Sequence, residues 1–206
     1  MENKFDIILR SWNRLDYLKR TVASLVTSGA LEACERFIVV DNGSTEKGVR
    51  EFLDDMKCLY RAFLVLLPEN RGWSYATNNA LGLSRAPFLF ISDNDVEYSK
   101  DFHKKMFETF EHHPNIGILG VWRHTAHGFL KGGIMDEWFR EMDQVPGVGW
   151  MLPKAAMQEV GMFDERGTCL TKGGNGEDVD YVLRMREAGY FIGVTKEDLA
   201  QHITGY

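Results

Sequence analysis

The stretch LFISDNDVEY, Leu89 to Tyr98, closes an apolar run with three acids, Asp93, Asp95 and Glu97, inside five residues. Like charges this close repel one another, and a bound cation would reconcile them. Asp93 and Asp95 stand two residues apart at a strand end, so both can reach one metal or its waters, and hard carboxylate oxygens suit Mg2+ or Mn2+. A DxD alone is frequent by chance; its weight here comes from following a buried strand. An EF-hand loop starting at Asp93 would need glycine at position 98 and glutamate at 104, where the chain has Tyr98 and Lys104, which argues against calcium sensing. A second acidic group, Glu177, Asp178 and Asp180, follows GGNG at the start of a predicted helix. Acids there offset the helix dipole, and the glycines before them let a loop carry a carboxylate over a bound substrate.

These groups need elements to hold them. FDIIL (5–9), RFIVV (36–40), AFLVLL (62–67) and PFLFI (87–91) are too short for stable helices and read as buried strands. Between them, Leu15, Leu18, Val22 and Leu25 recur at helical spacing up to Gly29, and Val49, Phe52, Leu53 and Met56 do so after Ser44, which is expected to cap. A third helix is expected from about Trp73 to Ser84. Apolar strands alternating with helices predict an α/β fold: a Rossmann-like, doubly wound, mostly parallel sheet with helices on both faces. A helix carrying Phe102, Met106, Phe107 and Phe110 follows, ending near Pro114. Regularity then falls: IGILGVW and GFLKGGI read as short strands among loops, before helices at 154–160 and 177–188 and the strand YFIGV (190–194). No linker divides the halves, so 1–206 is expected to be one domain.

In open parallel sheets, ligands bind beyond the carboxyl ends of the strands. RFIVV runs into DNGST, PFLFI into SDNDVE, FDIIL into RSWNR and AFLVLL into PENRGW, so acids, amides and arginines collect at one edge. Turn formation explains many such clusters as well. There is no GxxxxGK[ST], and the first turn, RSWNR, has no glycine, which argues against a P-loop NTPase and a dinucleotide dehydrogenase.

The 24 basic and 30 acidic residues give a formal charge of −6, without the basic footprint of a nucleic-acid binder. Cys34, Cys58 and Cys169 are odd in number and lack CxxC spacing, which points to thiols in a reducing, cytoplasmic compartment. No apolar run reaches the ~18 residues of a membrane span, so a lipid partner would be met at the membrane surface.

Taken in order, IILRSWNRLDYLKRTVASL (7–25), FIVVDNGST (37–45), ENRGWSYATNNAL (69–81), FLFISDNDVE (88–97), GWMLPKAAMQEVGMFDE (149–165) and GEDVDYVLRMREAGY (176–190) resemble a family 2 glycosyltransferase of the inverting, metal-dependent GT-A class. The resemblance implies a nucleotide-binding half over about 1–98 and an acceptor-binding half over about 99–206. It implies Asp41 on the pyrimidine ring of the donor, Arg71 and Asn79 near the nucleotide and diphosphate, and Asp93 with Asn94 at the ribose and sugar. Asp95 and His202 would hold Mn2+ or Mg2+, and Asp178 would be the catalytic base. Glu177 and Trp150 fall in the acceptor or sugar pocket, though Trp150 reads equally as a core aromatic.

The implied reaction moves a sugar from a nucleoside-diphosphate donor, a UDP-sugar foremost, to the hydroxyl of a glycan, lipid-linked or other acceptor. Two features depart from the pattern. Asp41-Asn42 stands where many relatives carry two acids, and the chain ends four residues after His202, which fits a compact enzyme or a piece of a longer one. The alternatives are a non-catalytic nucleotide-sugar-binding module, marked by loss of Asp95, Asp178 or His202, and a sugar-nucleotide pyrophosphorylase, marked by a glycine-rich first loop. The sequence shows neither mark.

Overall fold

The computed structural model describes residues 3–122, 130–166 and 176–203. Four strands, β1 (Phe5–Ser11), β2 (Arg36–Asp41), β3 (Phe63–Leu66) and β4 (Phe88–Ser92), run parallel in the order β3-β2-β1-β4. They are linked by the helices α1 (Leu15–Thr27), α2 (Ala30–Ala33), α3 (Val49–Tyr60) and α4 (Trp73–Leu81). After β4 come the short β5 (Val96–Tyr98), α5 (Phe102–His112), β6 (Ile116–Gly120), β7 (Phe139–Glu141), β8 (Trp150–Pro153), α6 (Lys154–Val160), α7 (Gly176–Glu187), β9 (Phe191–Thr195) and β10 (Ala200–His202).

β8 joins the sheet antiparallel to β4 and carries it on, so eight strands lie in the order β3-β2-β1-β4-β8-β6-β9-β7. Residues of both halves of the sequence therefore share one sheet. β1 is buried along its whole length, and its side chains alternate between faces with the two-residue period of a strand. Phe5, Ile7 and Leu9 meet a core completed by Leu18, Val22 and Leu25 of α1, Leu53 and Met56 of α3 and Phe102, Met106 and Phe110 of α5. Ile8 meets a second core with Ala76 and Ala80 of α4, Ala156 and Met157 of α6 and Tyr181, Val182 and Met185 of α7. Each large apolar side chain enclosed in these layers contributes about 1.5–3 kcal/mol.

Three expectations need correction. Gly48, not Ser44, precedes α3, because the Ser44 hydroxyl is taken by Asp41 and by the backbone N–H of Asn13. α4 stops at Leu81 rather than Ser84. The expected strand in GFLKGGI is not formed over 130–134, where the chain turns; its first two residues lie outside the described residues. α2, β5, β7, β8 and β10 were not expected. Among the described residues no helix is long and apolar enough to cross a membrane.

Candidate active site

The carboxyl ends of β1, β2 and β4 meet at one edge, and their loops interlock through side chains. Asn13 and Arg14 take consecutive left-handed conformations, φ 52° and 56°. This turn is held by Asn13 Oδ1, which accepts from Thr45 N and Glu46 N, and by Glu46, whose carboxylate accepts the first free N–H groups of α1 at Arg14 and Leu15. An anion at that end also complements the helix dipole. Asn94 reaches across to donate to the Asn13 carbonyl at 2.9 Å.

Beside them, Asp41 closes a tight turn, its Oδ2 accepting Ser44 N and its Oδ1 the Ser44 hydroxyl. Asn42 is 7% exposed and holds the next loop: it donates to Asn70 Oδ1 (2.9 Å) and the Gly72 carbonyl (3.2 Å) and accepts Arg71 N (3.1 Å). Gly43 lies against that loop at φ 73°, and a Cβ there would fall 2.4 Å from Glu69 Cα. The Arg71 side chain is exposed, its guanidinium 3.8 Å over the ring of Tyr75.

The acids lie next to this wall. β5 pairs antiparallel with β10, setting His202 opposite Val96, so the imidazole comes to Asp95 from 107 residues away in the chain: Nε2 stands 3.4 Å from Oδ1. The other Asp95 oxygen accepts Arg14 Nη1 at 2.7 Å, and both the Asp95 and His202 side chains are about nine-tenths enclosed. Asp93 is pushed up to about 6 chiefly by burial, with the charges of Asp95 and Asp178 adding to it and the Arg10 guanidinium opposing it. Asp178, in the first turn of α7, is linked to Asp93 through Gly147 and Arg10, whose Nη2 bonds both the Gly147 carbonyl and the Asp93 carboxylate. Its Oδ2 accepts Gly147 N (3.2 Å) and its Oδ1 accepts Val179 N (2.9 Å).

The structure thus brings Asp93, Asn94, Asp95, Asp178 and His202 together, with Asp41 and the backbone of Arg71 on the adjoining wall. Glu177 also reaches this edge, where its carboxylate accepts Ser74 N and ties α7 to the start of α4. Asn79 is exposed on α4, its amide donating to the Tyr75 carbonyl of its own helix. Trp150 has no exposed surface; it packs edge-on against Trp73 and donates to the Pro146 carbonyl, which makes it a core aromatic. Gly173, Gly174 and Asn175, with Arg123, His124 and Cys169, lie outside the described residues.

The sequence alone offers no role for Arg10 or Arg14 and reads Trp73 as packing, which its edge-on contacts with Trp150 and Phe163 bear out. The signal was a charge at the end of the apolar run FDIILR, because an arginine in a buried strand requires a partner. An apolar cavity of about 330 Å3, lined by Leu81, Leu89, Met157 and Met162, is formed by other residues than these acids.

A divalent ion is tested by the donors present. Among the described residues no three histidine, cysteine or acidic side chains form a complete metal cage. A carboxylate and an imidazole facing each other at 3.4 Å do fit an ion that takes one or two protein ligands and completes its shell with phosphate and water oxygens.

Residues 6–158 match the family model described as Glycosyl transferase family 2. Over 157 residues the chain is 26% identical to the uncharacterized glycosyltransferase YfnE of Bacillus subtilis, with 76% of this chain and 39% of that protein covered. It therefore spans about four-tenths of the length of this curated relative. Among solved structures, Staphylococcus aureus TarS 1-349 in complex with UDP-GlcNAc superposes with a TM-score of 0.71 at 16% identity, covering 98% of this chain and 61% of that one. GalNAc-T7 with UDP, GalNAc and Mn2+ gives 0.78 at 11% identity, covering 97% and 43%. The eight-stranded sheet is thus the GT-A fold seen in those structures, and the chain belongs to glycosyl transferase family 2.

Proposed function

We propose that this chain transfers a sugar from a nucleoside-diphosphate donor, a UDP-sugar first, to an acceptor hydroxyl with inversion at the anomeric carbon. The carrying observation is the convergence, from β4, β10 and α7, of Asp95 with His202 and of Asp178 beside Asp93. Structures of similar fold solved with UDP-GlcNAc, and with UDP and Mn2+, support the donor class. We read 1–206 as one catalytic unit, with nucleotide contacts from about 1–98 and acceptor contacts from about 99–206.

In this reading Asp41 and the loop at 70–72 receive the pyrimidine and ribose, and Arg71 and Asn79 stand on the diphosphate side. Asp93 and Asn94 orient the ribose and sugar. Asp95 and His202 would hold Mn2+ or Mg2+, which when bound supplies Lewis-acid stabilisation of the charge left on the diphosphate. Asp178 accepts the proton of the attacking hydroxyl, a role worth roughly 10²- to 10⁴-fold. Its two backbone N–H bonds orient the carboxylate, and the helix N-terminus favours the anionic form a base requires. Attack from the face opposite the leaving diphosphate inverts the anomeric centre. The free thiols of Cys34 and Cys58 fit a reducing compartment such as the cytoplasm.

The test is nucleotide release from UDP-sugars in the presence of Mn2+. Asp178→Asn should bind UDP as the wild type does and lose at least 10²-fold in turnover, whereas Asp95→Ala should lose the metal dependence of UDP binding. Full activity in Asp178→Asn would overturn the base assignment.

A further inference from the structure

Arg10 is the last residue but one of β1, whose other polar residues are Asp6 and Ser11, and only 5% of its surface is exposed. A guanidinium stays charged in such a place, so its donors call for oxygens; the two Nη atoms find them, while the buried Nε does not. One Nη2 serves two of them: the Asp93 carboxylate at 2.7 Å and the Gly147 carbonyl at 3.0 Å. Nη1 donates to Thr77 Oγ1 of α4 at 3.3 Å, and the guanidinium lies 3.8 Å over the ring of Trp73.

Gly147 is the residue whose N–H donates to Asp178, and it lies between that residue and Trp73: a Cβ on it would come into ordinary contact, 3.4 Å from the Asp178 Cβ and 3.5 Å from Trp73 Nε1. The first turns of α4 and α7 are tied a second time by Glu177 and Ser74 N. Arg10 therefore sits between β4, α4 and the loop before β8, and through Gly147 it reaches the first turn of α7.

We propose that Arg10 is a positioning residue that sets the donor-side carboxylate, Asp93, in register with the proton acceptor, Asp178, by fixing the Gly147 backbone between them. The inference deepens the reading of Asp178 as base and rests on it for its kinetic part. It explains why arginine stands here: a lysine would keep the charge but not the planar fork whose two Nη atoms bond three oxygens while it stacks on an indole.

The variants are Arg10→Met, which keeps the bulk of the stem, and Arg10→Lys, which keeps the charge. Backbone amide exchange at Gly147, UDP affinity with Mn2+, and kcat and KM for UDP release from a UDP-sugar are measured for each, after circular dichroism has shown them folded. In Arg10→Met the Gly147 amide should exchange about tenfold faster or more. Turnover should fall on the order of 10²-fold, as for a sub-ångström misplacement of reacting groups, with UDP affinity changed far less. Arg10→Lys should recover part of kcat.

A general loss of folding would lower apparent kcat through the active fraction with KM and UDP affinity unchanged, but it would also reduce the number of UDP sites per chain and speed amide exchange throughout the sheet rather than at Gly147. Unchanged Gly147 exchange in folded Arg10→Met, with kcat within twofold of wild type, would overturn the proposal. Should Arg10→Met not fold, Arg10→Lys must still show faster Gly147 exchange. If wild type released no UDP, the base reading would fail, and the exchange comparison would still decide whether Arg10 holds the anchor of Asp178.

Discussion

Asn42→Asp offers a sharp test of how the nucleotide wall is held, because it changes one atom of a side chain that makes three bonds. The polarity of the partners fixes the amide: the Gly72 carbonyl can only accept and Arg71 N can only donate, so Nδ2 must face the first and Oδ1 the second. An aspartate retains the bond from Arg71 N and loses both donations, leaving a carboxylate oxygen against the Gly72 carbonyl and Asn70 Oδ1, 3.2 and 2.9 Å from the atom it replaces. Asn70 cannot simply turn its amide over, since its Oδ1 already accepts Gly72 N. Two lost bonds at about 0.5–1.5 kcal/mol each, plus a buried charge facing oxygens, come to roughly 2–4 kcal/mol. For a chain of this length each kcal/mol moves the midpoint by about 2–4 °C, so Tm should fall by about 5–15 °C. Denaturant unfolding monitored by circular dichroism gives the free energy directly, and Asn42→Ala, which removes the bonds without adding charge, should lie between the two. A folded Asn42→Asp within 0.5 kcal/mol of wild type would refute the claim that this amide organises the loop at 70–72.

Gly43→Ala should cost about 2–5 kcal/mol, from strain at φ 73° and from a Cβ 2.4 Å from the Glu69 backbone; a melt unchanged to within 1 °C would contradict it. The Cys34 thiol is pushed up to about 12 by burial, so it stays protonated at neutral pH, and its reactive thiolate forms only as pH rises towards that value. Peptide mapping after iodoacetamide at pH 8 should find Cys58, which is exposed, labelled and Cys34 spared; equal labelling of the two would contradict that enclosure.

The first half of the chain was legible because its signals are continuous. Each of the four parallel strands is a run of apolar residues, and the helical periodicity between them predicts the helices to within a few positions. β7, β8 and β10 are only three or four residues long, too short to show a period, and what makes them strands is pairing with distant partners. His202 illustrates the consequence: nothing near it in sequence points to Asp95, and only the β5–β10 pairing sets them face to face. The carboxylates at 93 and 95 announced themselves by spacing, while choosing Asp178 from three neighbouring acids needed the family resemblance. Glu177 beside it serves instead as a tether to Ser74 N. Ser44 misled because serine shortly before an apolar period is a helix-start signal; here a closer acceptor, Asp41, takes its hydroxyl. Arg10 and Arg14 were visible as arginines at the sheet edge, but their partners are set by tertiary packing.

The central claim is tested most directly by anomalous diffraction at the manganese edge from crystals grown with UDP and Mn2+. A single strong peak bonded to Asp95 and His202 and to the UDP diphosphate, with Asp178 across the same cleft, is the predicted result. Manganese bound away from Asp95, or UDP seated outside the edge formed by Asp41 and Asp93, would contradict it.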